Sequence, residues 1–151
     1  MIYPQVKIEY DDKKKLEVME ECDYSFSLSV THNSQFSQTA QKILTSAIFL
    51  KATDLVHEKE QCVGYAAMYA NDTVSKIAYI SLICVKKEYQ GRHIGSMLIN
   101  KCIELARNNS MERIKLEVLE SNDKAIAFYK HHGFTFDAQS RTNTIFMKRE
   151  I

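Results

Sequence analysis

The sequence predicts an α/β layered fold, a mixed sheet with helices on its faces, and three features carry that prediction. Two apolar runs, about residues 62 to 70 and 76 to 86, flank the turn-forming segment "NDTVS". Two amphipathic segments, near residues 94 to 106 and 121 to 132, are each followed by a strand-like run. No internal repeat and no linker rich in Pro, Gly or Ser interrupts the 151 residues, whose only proline is Pro4. A chain of this length can bury a real core, so residues 1–151 are expected to form a single domain.

Taken in order, "DDKKKLEVMEECDYSF" has helical spacing, with Asp11 and Asp12 suited to the N-terminus and Leu16 and Met19 on one face. The polar turn formers of "SLSVTHNS" break the pattern. Helical spacing resumes through Phe36, Ala40, Ile43, Leu44 and Ala47, with Ser34 as a cap. "AIFLKAT" is short, apolar and β-like. The two apolar runs around Asn71 and Asp72 form a β-hairpin. Its second strand, "KIAYISLICV", is nearly all apolar and should lie centrally, covered on both faces. Ile94, Met97, Leu98, Cys102 and Leu105 mark an amphipathic helix that "NNS" ends. "RIKLEVL" alternates, with Ile114, Leu116 and Val118 on one side and Lys115, Glu117 and Leu119 on the other. "SNDKAIAFYKHH" is a helix capped by Ser121 or Asn122, burying Ala125, Phe128 and Tyr129, and Gly133 sits where a left-handed residue ends it. Two last strands fall near "FTFDA" and "TIFMKR".

Composition narrows the function. Twenty basic and 19 acidic residues leave a formal charge of +1, without the basic excess of a dedicated nucleic-acid binder. No apolar run approaches the roughly 18 residues that span a bilayer, and "MIYPQVKIEY" has no secretory pattern. A cytoplasmic protein acting on neither nucleic acid nor membrane is expected. Cys22, Cys62, Cys84 and Cys102 form no CxxC pair, and the five histidines are scattered, so reduced core thiols are expected rather than a metal site.

The chemistry concentrates in "YQGRHIG", which joins the all-apolar strand to the next helix and holds two of the chain's four glycines. Amides at a helix start lack partners and face a positive macrodipole, so the place suits phosphate. Glycine lets the backbone curl closely around an anion. Lys86, Lys87 and Arg92 add local positive charge. Neither GxxxxGK[ST] nor GxGxxG fits.

This segment resembles the acyl-CoA signature of the GNAT superfamily of N-acyltransferases, (Q/R)xxGx(G/A), with Gln90 opening it and Gly95 closing it. "LICV" ahead of it looks like the family's central strand. "LEVLESNDKAIAFYKHHGF" behind it is similar to the second signature, and the resemblance spans residues 62 to 138. It implies a mostly antiparallel sheet whose central strand pair splays, with acetyl-CoA as cosubstrate in the gap. It implies backbone contacts from Ile83 and Val85 to the pantetheine arm. It places the pyrophosphate on the loop Gly91, Arg92, His93, Ile94, Gly95 and Ser96, and gives Asn122 a cofactor contact. The family's first glycine is replaced by His93, tolerable if the side chain points away and φ stays negative. His93 then either faces solvent or donates to a phosphate with Arg92.

Acyl transfer needs a base for the amine, donors for the oxyanion and a proton for the departing thiolate. The resemblance makes Tyr129 the acid and Glu117 a candidate base, with Tyr79, Ser81 or a water relay as alternatives. Some relatives carry a glutamate where Tyr79 stands. The expected reaction is direct N-acetyl transfer in a ternary complex, the acceptor a small-molecule amine. A protein N-terminus or lysine, or a non-catalytic acyl-CoA-binding regulator, is the alternative. The family also implies a homodimer as one expected assembly, and an acyl group longer than acetyl stays open.

Overall fold

A computed structural model describes residues 2–25 and 36–151. Its seven strands form one sheet in the order β1-β2-β3-β4-β5-β7-β6. β1 (Gln5–Ile8), β2 (Ile48–Val56), β3 (Lys59–Tyr69) and β4 (Ile77–Val85) make an antiparallel half. β5 (Arg113–Leu119), β7 (Thr144–Glu150) and β6 (Thr135–Arg141) make the other. Among the described strands only β4 and β5 run parallel, because the chain between them crosses one face as α3 (Ile94–Asn108).

The helices lie on both faces. α1 (Asp12–Cys22) and α2 (Phe36–Ser46) share one core with β2, β3 and β4, built on Val18, Met19, Ile43, Phe49 and Tyr65. α3 and α4 (Asp123–His131) share the other, where Leu98, Ile99 and Tyr129 meet Ile80, Ile114 and Leu116. Asp11 caps α1 by accepting from Lys14 N at 3.0 Å. The buried stripe of α1 is Lys15, Val18, Met19 and Cys22, one position round from the expected Leu16. Lys86, only 8% exposed, follows β4 and pairs with Glu21 of α1 at 2.5 Å. All four cysteines are buried free thiols. No helix among the described residues is long and apolar enough to cross a membrane.

Three expectations change. β1 has no counterpart in the sequence reading, and β2 runs well past "AIFLKAT" into a hairpin through His57 and Glu58, whose φ values of 51° and 64° form its tight turn. The strand covered on both faces is β3, buried continuously from Cys62 to Met68, and not β4. Residues 81 to 83 of β4 are half-exposed, because the sheet opens beside them. The "SLSVTHNS" turn and the Ser34 cap lie outside the described residues.

Candidate active site

β4 and β5 pair from Ile77 opposite Arg113 to Ile80 opposite Leu116 and then separate. β5 stays paired with β7 as far as Leu119 and β4 with β3 as far as Val85, so the sheet opens between its two halves. A bulge marks the point of departure: Ala67 pairs with Leu82 and Met68 with Ile80, leaving Ser81 as the extra residue. Lys86 N donates to Val63 O at 2.9 Å. Strand alternation therefore turns the polar groups of Ile83 and Val85 away from β3, into the gap. The Val85 carbonyl accepts from Gln90 Nε2 at 3.1 Å, and Gln90 Oε1 accepts from Lys124 Nζ at 3.3 Å. This chain bridges β4 and α4 across the mouth.

A cavity of about 670 Å³ fills the split and passes through the sheet. Ile83, Val85 and Tyr129 line it from the α3–α4 face, and Cys84 and Glu117 from the other. Its far end is the glycine loop. Gly91 has φ +83° and His93 φ +65°. Met97 N donates to His93 O at 3.1 Å as the first bond of α3, so the amides of Ile94, Gly95 and Ser96 have no carbonyl within the helix to meet. A Cβ on Gly95 would stand 3.2 Å from the Phe128 ring, so glycine here lets α4 close on α3. Ser96 Oγ and His132 Nε2 share a hydrogen bond of 3.0 Å between the two helices. Burial, then the charges of His131 and Arg149, holds the His132 imidazole below its usual range, hence neutral near pH 7.

Of the residues expected at the cofactor, Ile83, Val85, Gly91, His93, Ile94, Gly95, Ser96 and Asn122 line the cavity. Arg92 does not: its guanidinium lies over the Tyr89 ring, 5.3 Å from the centroid. The negative φ expected of His93 is also wrong. The loop keeps the left-handed turn that the missing glycine would make, and the histidine carries the steric cost, about 1 kcal/mol. His93→Gly should therefore raise the melting temperature of the ligand-free protein by about 2–4 °C, measured by calorimetry. An unchanged or lower value would mean that the left-handed turn stores no strain.

Asn122 caps α4, its Oδ1 accepting from Ala125 N at 3.1 Å, while it lines the cavity. Tyr129 packs edge-on to Phe128 and Phe134 at 5.4 and 5.8 Å. Its hydroxyl makes no hydrogen bond among the described residues. Burial, then the Cys102 thiol nearby, pushes the phenol well above its ordinary value, so it is a protonated donor at neutral pH. Glu117 is held from the β6–β7 turn: its Oε2 accepts from Ser140 Oγ and from Thr144 Oγ1 at 2.8 Å, and Arg141 Nε lies 3.6 Å away. Burial raises its pKa, but the hydroxyl donors and the guanidinium outweigh that, and the net direction is down. Glu117 is thus a fixed anion. Tyr79 is raised by burial first and then by the Glu117 charge, so it is no base at neutral pH.

The sequence reading did not single out Lys124, the bulge at Ser81 or the Phe128 wall. Lys124 is an exposed lysine on a helix surface, with no sequence signal of its own; Phe128 packs against the core as expected and lines the cavity as well. Gln90 was in view as the motif's first letter, without its bond to Val85.

The Acetyltransferase (GNAT) family profile matches residues 16–134. Thialysine N-epsilon-acetyltransferase of Sus scrofa is 37% identical over 73 residues, covering 47% of this chain and 43% of that protein. N-alpha-acetyltransferase MAK3 of Arabidopsis thaliana is 33% identical over 81 residues, covering 53% of this chain and 43% of that protein. The match thus spans less than half the length of these curated relatives. PaiA N-acetyltransferase of Thermoplasma acidophilum, solved in complex with coenzyme A, superimposes with a TM-score of 0.69 over 97% of this chain and 99% of that one. Identity there is 16%, a likeness of fold. The family match takes in the splayed strands, the glycine loop and α4, and the chain belongs to the GNAT acetyltransferase family.

Proposed function

We propose that the chain is an N-acetyltransferase that moves the acetyl group of acetyl-CoA to a primary amine by direct attack, with a small-molecule acceptor. The single observation that carries the reading is the departure of β4 from β5 at Ser81, which leaves strand polar groups facing a cavity that reaches from the glycine loop to Tyr129 and Glu117. Those residues fit the family's cosubstrate. Unpaired amides at Ile94, Gly95 and Ser96 suit the pyrophosphate, and Ile83 and Val85 suit the amides of the pantetheine arm. Gly95 keeps the passage open beside Phe128.

The residues divide the work. The N–H of Ile83 or Val85 meets the developing oxyanion. Tyr129 gives its proton to the departing thiolate. Glu117, with all its described partners on Oε2, keeps Oε1 to receive the incoming ammonium. As a depressed acid it cannot hold that proton long, so it orients the amine and passes the proton to water. The through-sheet geometry brings thioester and amine in from opposite faces, which favours a ternary complex over an acyl-enzyme.

Calorimetric titration with acetyl-CoA, followed by thiol release across a panel of amines and peptide N-termini, tests the reading. Micromolar binding and turnover with a small amine are expected. Failure to bind acetyl-CoA would overturn the reading, and turnover confined to peptides would overturn the acceptor class.

A further inference from the structure

A second cavity, of about 500 Å³, opens on the α1–α2 face and shares Ser81 with the first. Its walls come from α2, the β3–β4 turn and the starts and ends of those strands. Two tyrosines form its apolar side: Tyr69 and Tyr79 are direct partners across β3 and β4. Tyr79 also lies beside Lys115 in the parallel register with β5 and feels the Glu117 charge. One wall therefore continues from the second cavity to the carboxylate of the first.

The cavity carries one carboxylate, Asp72, and one ammonium, Lys42, which are not paired with each other. Asp72 is a fixed anion held by its own turn: its Oδ1 accepts from Val74 N at 3.1 Å and Ser75 N at 3.0 Å, and the hydrogen bonds from Ser75, then from Val74 N, hold its pKa down. Lys42 has no carboxylate partner among the described residues. Its ammonium instead lies 5.1 Å from the centroid of the Tyr69 ring, over the cavity wall. A cation parked on an aromatic face at the rim of a cavity is available to an anion. The volume suits an amino-acid-sized molecule.

From this arrangement we propose that the acceptor is an amine that also carries a carboxylate. Its ammonium meets Glu117, its body lies along Tyr79 and Tyr69, and its carboxylate reaches Lys42. The inference rests on the acyl-transfer reading above and names the acceptor class within it. Thr39 and Ser46 of α2 line the same cavity and supply hydroxyls for the carboxylate's remaining lone pairs.

The test uses matched amines with and without the carboxylate: L-lysine and cadaverine, L-phenylalanine and phenethylamine, γ-aminobutyrate and propylamine. Acetyl-CoA binding is first measured by calorimetry on the wild type and on Lys42→Ala and Lys42→Arg. Equal binding in all three is expected, since Lys42 lies outside the cofactor cavity. At least one carboxylated amine should then exceed its partner about tenfold in kcat/KM. Lys42→Ala should erase that preference through KM, and Lys42→Arg should restore it. No preference for the carboxylate, a preference that survives Lys42→Ala, or turnover with no member of any pair would each overturn the inference. Absence of acetyl-CoA binding in the wild type would instead overturn the acyl-transfer reading beneath it.

Discussion

Tyr129→Phe is expected to lower kcat about a hundredfold at pH 7, close to 2.7 kcal/mol of transition-state stabilisation. The ring makes the packing contacts with Phe128 and Phe134, and phenylalanine keeps them. The hydroxyl has no hydrogen-bond partner among the described residues, so its removal orphans nothing. Melting temperature and acetyl-CoA affinity should therefore stay near wild type, and the loss should fall on turnover.

The pH dependence tests whether the phenol stays protonated. Burial raises the Tyr129 phenol above its ordinary value of 10.0, so the group stays protonated across the assayable range and sets no alkaline limit. Wild-type rates should climb with pH as the amine, whose free pKa is about 10.4, loses its proton. The variant's deficit should hold across about pH 6 to 10, because the wild-type phenol stays protonated throughout and unassisted expulsion of the thiolate does not depend on bulk pH. Rapid-quench or thiol-trapping rates from pH 6 to 10 check both statements. A deficit that changes across that range would mean that the phenol titrates within it, and a variant with full turnover would remove Tyr129 from the reaction.

The parts of the molecule that were legible in the sequence are those where one local pattern decides one structure. The spacing of α3 and α4, the alternation of β5 and the Gly133 stop each match their elements. β1 was missed because four residues at a sheet edge, none of them buried, carry too little alternation to register. The β2–β3 hairpin hid because His57-Glu58 takes a left-handed turn without the Asn or Gly that would announce it. Apolar content named β4 as the strand covered twice, yet part of its apolar surface faces a cavity. Composition cannot tell a packed wall from a binding wall. The site divides the same way. The glycine loop and α4 are contiguous motifs, whereas Lys42, Tyr69 and Tyr79 lie in different elements, and only the strand register brings the two tyrosines side by side. His93 shows a finer limit, since the letters revealed a missing glycine but not that the backbone would keep the glycine's turn.

Gly64→Ala is the substitution expected to cost the fold most for a single added methyl group. A Cβ at Gly64 would stand 2.5 Å from the Cys84 carbonyl oxygen and 3.2 Å from Val85 Cα. Both are backbone atoms of the paired strand, so no rotamer change relieves the contact. Gly95→Ala offers the contrast: its Cβ meets the edge of the Phe128 ring at 3.2 Å, and a half-buried ring at a cavity can turn aside. Overpacking costs of about 1–3 kcal/mol should therefore be reached in full at Gly64 and only at the low end at Gly95. For a chain of this size the first corresponds to a fall of about 6–12 °C in melting temperature. Relief at Gly64 requires β4 to move away from β3, and the gap beside β5 lies open to that movement. That movement carries Ile83 and Val85 into the space proposed for the pantetheine arm, so acetyl-CoA affinity should fall together with stability. Calorimetry with and without acetyl-CoA reads both quantities. If Gly64→Ala melts within a degree of wild type, the two strands can part without cost and the added methyl group meets no strain at Cys84 O. If it melts early but binds acetyl-CoA unchanged, the strain is released elsewhere and β4 is not the strand that yields.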